Sequence, residues 1–346
     1  MNDQLAVPPR LDPASQQARS AILRNLLLHE KLSRREIGQI VSRSGGSVTR
    51  HTQWLIDREM IHARKKRVPT SFRPVEELSL VRQGTVLALG LSSSVITAQL
   101  AECDGGLRHQ WDEPVLQATQ ACVFEALDRA VSQAYEFTDT IDVAGLGVVG
   151  YLIPDQGLIF GVEGIEGGWE PCQPGRILPS FKKVGRLFTW TDVACKARGL
   201  AGRLRNDGHL VFIEYLGKSF RIADIEAGEI HLGRYGTTSS RLHQSVVPDG
   251  PLCYCGRRGC LANYIQAGEC SEELLADSLF HLLEEMKVDA VGVEWAGGAA
   301  SLSDRLQAQG VAEVHAVSDG QRLCSEGLRA LTIEKAFGLT LEKAIG

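Results

Sequence analysis

No stretch of the 346-residue chain approaches the roughly 18–20 consecutive apolar residues that a membrane-spanning helix needs, which excludes a helical membrane protein. The first residues, MNDQLAVPPRLDPASQQ, lack both the basic start and the apolar middle of a secretory signal, so a cytoplasmic location with no membrane partner is expected. No short-period tandem repeat and no low-complexity tract interrupts the sequence. Nine cysteines, an odd number in a long chain, do not suit a secreted disulfide framework. A surplus of positive charge is missing too: the net charge is -5, which by itself argues against a nucleic-acid partner.

What is present reverses that last point locally. Residues 1–73 carry 14 basic and 6 acidic side chains, a balance of +8, whereas the remainder carries 23 against 36, a balance of -13. A basic head on an acidic body implies two jobs, the first compatible with nucleic acid. After a proline-punctuated tail (1–14), SQQARSAILRNLLLHE sets Ala18, Ile22 and Leu26 on one stripe beside Leu23 and Leu27, the spacing of an amphipathic helix. SRREIGQIV opens with Ser33 and Glu36, a capping box, and continues with Ile37, Ile40 and Val41 as a core face. SRSGG is a glycine-bearing turn, and SVTRHTQWLIDREMI resumes a helical stripe through Val48, Leu55 and Ile56.

Three short helices with a tight turn before the last follow the helix-turn-helix plan, in which the final helix enters the major groove. Arg43, Ser47, Thr49, Arg50 and Gln53 are its candidate DNA-facing residues. IHARKKRVPTSFRP reads as a wing whose Arg64, Lys65, Lys66 and Arg67 would sit on phosphates. The competing reading is a small helical domain with solvated charges. Residues 15–73 are thus expected to form a winged helix-turn-helix, 74–84 a linker, and 85–346 the body.

From residue 85 on, apolar strands separated by glycine-containing turns alternate with helical stretches such as ACVFEALDRAVSQAYEF, the pattern of an α/β domain. Within it, Cys253, Cys255 and Cys260 form C-x-C-x4-C, with His243 ten residues upstream. Three thiolates and one imidazole make a closed tetrahedral set suited to structural Zn2+, with Gly256 and Gly259 letting the backbone curl around the ion. Reduced, packed or redox-active thiols are the alternative. The other cysteines, at 103, 122, 172, 195, 270 and 324, read as small buried apolar residues.

PDGPLCYCGRRGCL with a histidine ten residues upstream resembles the zinc motif of the ROK family of bacterial sugar kinases and sugar-responsive repressors. The resemblance extends over nearly the whole chain and implies an actin-like (ribonuclease H-like), two-lobed ATPase-type body behind the winged helix-turn-helix, the layout of the repressors. It also locates departures from the kinases. Their Asp-x-Gly-Gly-Thr phosphate loop is matched by Gly90-Leu91-Ser92-Ser93-Ser94, without the acid or the glycine pair. A second glycine-rich turn is matched by GKSFRIA, which keeps Gly217 but has Ser219, Arg221 and Ala223. The third, Gly297-Gly298-Ala299, is nearly intact. Two sugar-binding glutamates fall on Ser240 and Ala262, and in WTDVACKA Asp192 matches the kinase base while Thr191 and Ala194 replace asparagines. His231 lies 22 residues before Cys253 and is out of register with the motif, unlike His243.

Phosphoryl transfer is mostly positioning and electrostatics, so one carboxylate without phosphate loops does not suffice, and neither enzyme activity nor use of ATP and Mg2+ is expected. The resemblance implies a transcriptional regulator, a repressor of carbohydrate-related genes, binding a palindromic double-stranded operator as a homodimer or homotetramer. Thr191, Asp192, Ser240 and His243 are candidate contacts for a sugar or sugar-phosphate effector. The alternatives are a sugar kinase with an unusual nucleotide site, and a regulator that has lost sugar sensing and answers to a protein partner.

Overall fold

The structure, a computed structural model, describes residues 13–66, 75–81, 84–205, 208–216, 219–233, 239–253, 255–295, 299–311 and 313–343. The head opens with α1 (Pro13–His29), which buries Ala18, Ile22, Leu23 and Leu26. It continues through β1 (Leu32–Ser33), α2 (Arg34–Ile40), α3 (Gly45–Asp57), β2 (Ile61–Lys66) and β3 (Val75–Leu80). The capping box is formed: Glu36 N donates to Ser33 Oγ at 3.3 Å, and Ser33 N donates to the Glu36 carboxylate at 2.7 Å. Those bonds to the charged form hold the Glu36 carboxyl below its ordinary range. In the turn that follows, the left-handed residue is Ser42 (φ 49°) and not a glycine; Ser44 caps α3, whose first turn contains Gly45 and Gly46.

The segment read as a linker, 74–84, contains a strand. β3 pairs antiparallel with β2, Arg64 opposite Glu77 and Lys65 opposite Glu76, and lies between β2 and β1 in a three-stranded sheet. Alternation explains it: Leu78 and Leu80 of VEELSL are buried, Glu76 on their face pairs with Arg34 of α2, and Glu77 on the other pairs with Lys66 of β2. The tail read as ending at residue 14 likewise gives way to α1 at Pro13.

The body comprises two lobes with the same sheet plan. The first contains β4 (Thr85–Leu91), β5 (Val95–Glu102), β6 (Leu107–Pro114), α4 (Gln120–Phe137), β7 (Val143–Val148), the ribbon β8 (Gly150–Ile153) and β9 (Leu158–Val162), α5 (Pro174–Ile177) and β10 (Arg186–Thr191). Its sheet order is β10-β7-β4-β5-β6, with β4, β5 and β6 antiparallel and β7 and β10 parallel to β4. The second contains α6 (Asp192–Leu204), β11 (Leu210–Leu216), β12 (Ser219–Glu226), β13 (Glu229–His231), α7 (Leu261–Ala267), α8 (Glu272–Met286), β14 (Ala290–Trp295), α9 (Ala299–Ala308) and β15 (Val314–Ala316). Its order, β13-β12-β11-β14-β15, repeats the first, and the duplicated plan is the actin-like sugar-kinase fold. Among the described residues no helix is long and apolar enough to cross a membrane.

The last helix, α10 (Gly320–Lys343), crosses α6 with almost no space between the backbones. A Cβ added to Gly327 would lie 1.8 Å from the Cys195 carbonyl oxygen, so only glycine fits there. Farther along, Ile333, Ala336 and Phe337 of α10 share one apolar cluster with Ile22, Leu23 and Leu26 of α1. The head core is therefore continuous with the body.

Candidate functional site

Three strands of the second lobe carry one polar row through an otherwise apolar sheet. Arg221 on β12 stands opposite Glu214 on β11, which stands beside Glu294 on β14. Helix α6 lies over this row and adds Asp192 and Lys196, four residues apart and thus on one helix face. Arg221, 1% exposed, donates to both Asp192 oxygens at 2.5 and 3.1 Å and also binds Glu214. Lys196 binds Glu214, Glu294 at 2.7 Å and Asp192 at 3.5 Å. Glu163 is 3.9 Å from Arg221 at the margin.

Three central carboxylates thus share two cations. Burial pushes the Asp192 carboxyl up to about 6, against the opposing pull of Arg221 and Lys196. Burial would lower both cations, but Asp192 and Glu214 outweigh it and hold each above its ordinary value. Lys196, Glu214 and Glu294 were not singled out in the sequence, although each interrupts an apolar segment; the signal was a charge inside LVFIEYL, AVGVEW and the buried face of α6. Arg221, which stands in the run that matches the kinases' second glycine-rich turn, is the ion partner of Asp192.

This network floors a cavity of about 310 Å³ between the lobes. Ser92, Ser94 and Thr97 line one wall, and Gln321, Cys324 and Ser325 of α10 line the other. The turn at Gly90–Ser94 presents hydroxyls: Ser92 Oγ donates to the Val95 carbonyl at 2.8 Å and accepts from Val95 N at 3.1 Å. Thr191 is buried where β10 passes into α6, and Ala194 is buried within the α6 core. Ala262 packs against the second-lobe core. The side chain of Ser240 lies outside the described residues, as do Gly217, Gly297 and Gly298.

The ligand atoms of His243, Cys253, Cys255 and Cys260 all lie within 4.8 Å of one another. Cys253 Sγ is 3.4 Å from His243 Nδ1, and Cys255 Sγ is 3.5 Å from Cys260 Sγ. A tetrahedral ion with metal–sulfur bonds near 2.3 Å requires ligand separations of about 3.8 Å, so the donors fit one ion of that kind. Glycines permit the curl: Gly256 and Gly259 have φ of +87° and +66°, and a Cβ at Gly259 would fall 1.7 Å from the Val247 carbonyl oxygen. Arg241 ties this segment to β12 through buried Asp224 at 3.2 Å. His231 is remote in role: on β13 it faces Glu226 at 3.4 Å. Of the six other cysteines, 103, 172 and 195 are buried and 122, 270 and 324 are half-buried.

In the head, Thr49, Arg50 and Gln53 are exposed on α3, with Arg43 and Ser47 half-buried nearby. Arg64, Lys65 and Lys66 are exposed on β2, Lys66 pairing with Glu77 at 3.3 Å; Arg67 lies outside the described residues. The positive charge of β2 is accordingly diluted by Glu77 of β3, a residue within the segment 74–84 expected to be a linker.

The ROK family model matches residues 107–323. The N-acetylmannosamine kinase of Escherichia coli O127:H6 is 24% identical over 185 residues, covering 51% of this chain and 60% of that kinase, so this chain spans less than two thirds of its length. Among solved structures, a ROK family transcriptional regulator, a homolog of the E. coli MLC protein, aligns with a TM-score of 0.63 at 17% identity over 96% of this chain and 100% of its own. The ROK hexokinase from Thermus thermophilus aligns with a TM-score of 0.56 at 16% identity over 73% of this chain and 99% of its own. At such identities these two structures speak to the fold alone. The family model covers more than half of the residues, including most of both lobes, and the chain belongs to the ROK family.

Proposed function

We propose that the chain is a DNA-binding transcriptional regulator of repressor type whose body senses a ligand and does not phosphorylate it. The observation that carries this reading is the Arg221–Asp192 pair. A kinase needs a carboxylate free to take a hydroxyl proton and glycine turns open to phosphates. Here the matching carboxylate is buried and held by a guanidinium that projects from the strand of a former phosphate turn. The likeness to the regulator, which extends over 96% of this chain against 73% for the hexokinase, supports the same reading.

In this proposal the head is a winged helix-turn-helix. α3 offers Ser47, Thr49, Arg50 and Gln53 to base edges, while Arg43, Arg64 and Lys65 meet phosphates. Paired heads in a dimer or tetramer read a palindromic operator. His243, Cys253, Cys255 and Cys260 hold Zn2+, which supplies folding free energy and leaves no open position for chemistry. A sugar or sugar phosphate enters between the lobes.

α10 connects the two functions. Its Gln321 and Ser325 line the cavity, and Phe337, about 24 Å farther along the helix, packs on α1. α1 is also tied to the second lobe: Arg24 binds Glu229, donates to the Ala227 carbonyl at 3.0 Å, and lies 3.9 Å from Glu334 of α10. A ligand preferring one lobe arrangement would therefore load the base of the head, and operator affinity would change by the factor by which operator changes ligand affinity.

The test exposes the full chain to fragmented genomic DNA of its source organism and sequences what it retains. Enrichment of a two-fold symmetric site is expected; retention without any enriched sequence overturns the proposal. The second reading, a sugar kinase, is favoured by Asp192 and by the kinase relative, and ATP-dependent phosphorylation of any member of a sugar panel would establish it in place of the first.

A further inference from the structure

The polar row beneath the inter-lobe cavity does not balance its own charge. Asp192, Glu214 and Glu294 bring three negative charges, and Lys196 and Arg221 bring two positive ones. Among the described residues no third cation forms an ion pair with any of these carboxylates. Glu163, 3.9 Å from Arg221, adds a further negative charge at the margin. The surplus is largely out of water: side-chain exposure is 2% for Asp192, 0% for Glu214 and 19% for Glu294.

Glu294 stands where that surplus meets the cavity, whose lining it shares with Asp192 and Lys196. Its Oε2 lies 2.7 Å from Lys196 Nζ yet has no aligned hydrogen bond, and its carboxylate occupies the space left by the missing side chain of Gly320, the first residue of α10. The amino end of a helix offers about half a positive charge, which offsets only part of a full negative one. A buried charge left uncompensated is costly, so such a site takes up a proton or a cation. Asp192, which burial pushes up to about 6, shows the first response; near neutral pH its proton is mostly lost and the surplus returns.

The rest of the lining selects the kind of cation. A cavity of about 310 Å³ holds a small molecule and not merely a bare ion. Among the described residues the Thr97 hydroxyl, set over Gly90, and the Gln321 side-chain amide make no hydrogen bond within the protein, and Ser94 and Ser325 stand beside them. These groups pair with hydroxyls and add no charge of their own.

We propose that the inter-lobe cavity takes a polyhydroxylated amine, an amino sugar with a free ammonium, whose ammonium sits on Glu294 and whose hydroxyls meet Thr97 and Gln321. The inference rests on the reading of the body as a ligand sensor and narrows its ligand. A sugar phosphate would add to the surplus instead of cancelling it.

The test is calorimetric titration of the full-length protein at about pH 7 with glucosamine, galactosamine and mannosamine, each beside its parent hexose, its N-acetyl derivative and the hexose 6-phosphate. At least one amine should bind about tenfold or more tightly than its uncharged counterparts, the share of one hydrogen bond to a charged group. Glu294→Gln should abolish that preference; an amine preference that survives it overturns the placement of the ammonium on Glu294. A neutral or phosphorylated counterpart that binds as tightly as its amine overturns the inference and leaves a sugar-sensing body. Phosphorylation of the bound amine on addition of ATP and Mg2+ overturns the non-catalytic reading and leaves the charge preference standing. No binding by any of these compounds overturns the inference, while operator enrichment tests the regulator reading independently.

Discussion

Charge is handled in opposite ways at the two ends of the molecule. In the head, Arg50, Arg64 and Lys65 stay in water on the surfaces of α3 and β2. In the body, Asp192, Lys196, Glu214 and Arg221 are buried and paired with one another. An exposed cation keeps its hydration until a partner replaces it, so it is available for recognition. A buried cation has lost that hydration and must be paired within the fold, so it serves architecture first, even where, like Lys196, it reaches the edge of the cavity. Asp192, the carboxylate that matches the kinase base, is accordingly held by Arg221 and Lys196, which is the feature the proposed regulator reading rests on.

The comparison can be broken most severely at Arg221. Arg221→Met leaves three carboxylates around Lys196 and should cost about 3–5 kcal/mol in urea denaturation. Adding Asp192→Leu should restore part of that loss, because a buried pair replaced as a pair is tolerated better than one stranded partner. Full additivity of the two changes would show that they do not interact. Next, Cys255→Ser should abolish zinc retention, measured by atomic absorption, and open the exposed Arg257–Arg258 bond to trypsin. Unchanged metal content would remove Cys255 from the ligand set.

A smaller effect is expected at Asp192 itself. Its folded pKa, about 6, lies above the ordinary 3.8, so the folded state holds the proton more tightly. The stability this carboxyl contributes is full below about pH 4 and is lost as pH rises through about 6. Asp192→Asn, which mimics the protonated group, should therefore be better tolerated relative to wild type at pH 7 than at pH 4. The reverse order in paired urea titrations would contradict that assignment. Smaller still, Glu229→Gln cuts an ion pair in which Glu229 is 65% exposed, and should change stability by less than about 1 kcal/mol. Its informative readout is coupling: the ratio of ligand affinities with and without operator should move toward unity. Lys65→Ala should leave the unfolding midpoint within about 0.5 kcal/mol of wild type, since the side chain is solvated.

Local features were legible before the structure. The Ser33–Glu36 box, the apolar stripe of α1 and the clustering of His243 with three cysteines all follow from spacings within one segment. β3 was missed because VEELSL looks polar until its glutamates are set opposite Arg64 and Lys65 on another strand. The repeated sheet order was invisible for a related reason: strand order is preserved through hydrogen bonding between distant segments without any repeat of residues.

The sequence by itself determined where charge of each sign lies, which segments of the head coil, and which four residues can close on a metal, because those properties depend on residue type and short-range spacing. Tertiary structure alone decided that Arg221 meets Asp192, that Glu214 and Glu294 join Lys196 beneath the cleft, and that Arg19 and Arg58 share Trp54. These are contacts between elements far apart in the chain, and their electrostatic meaning depends on burial, which exists only once the sheets and helices have packed.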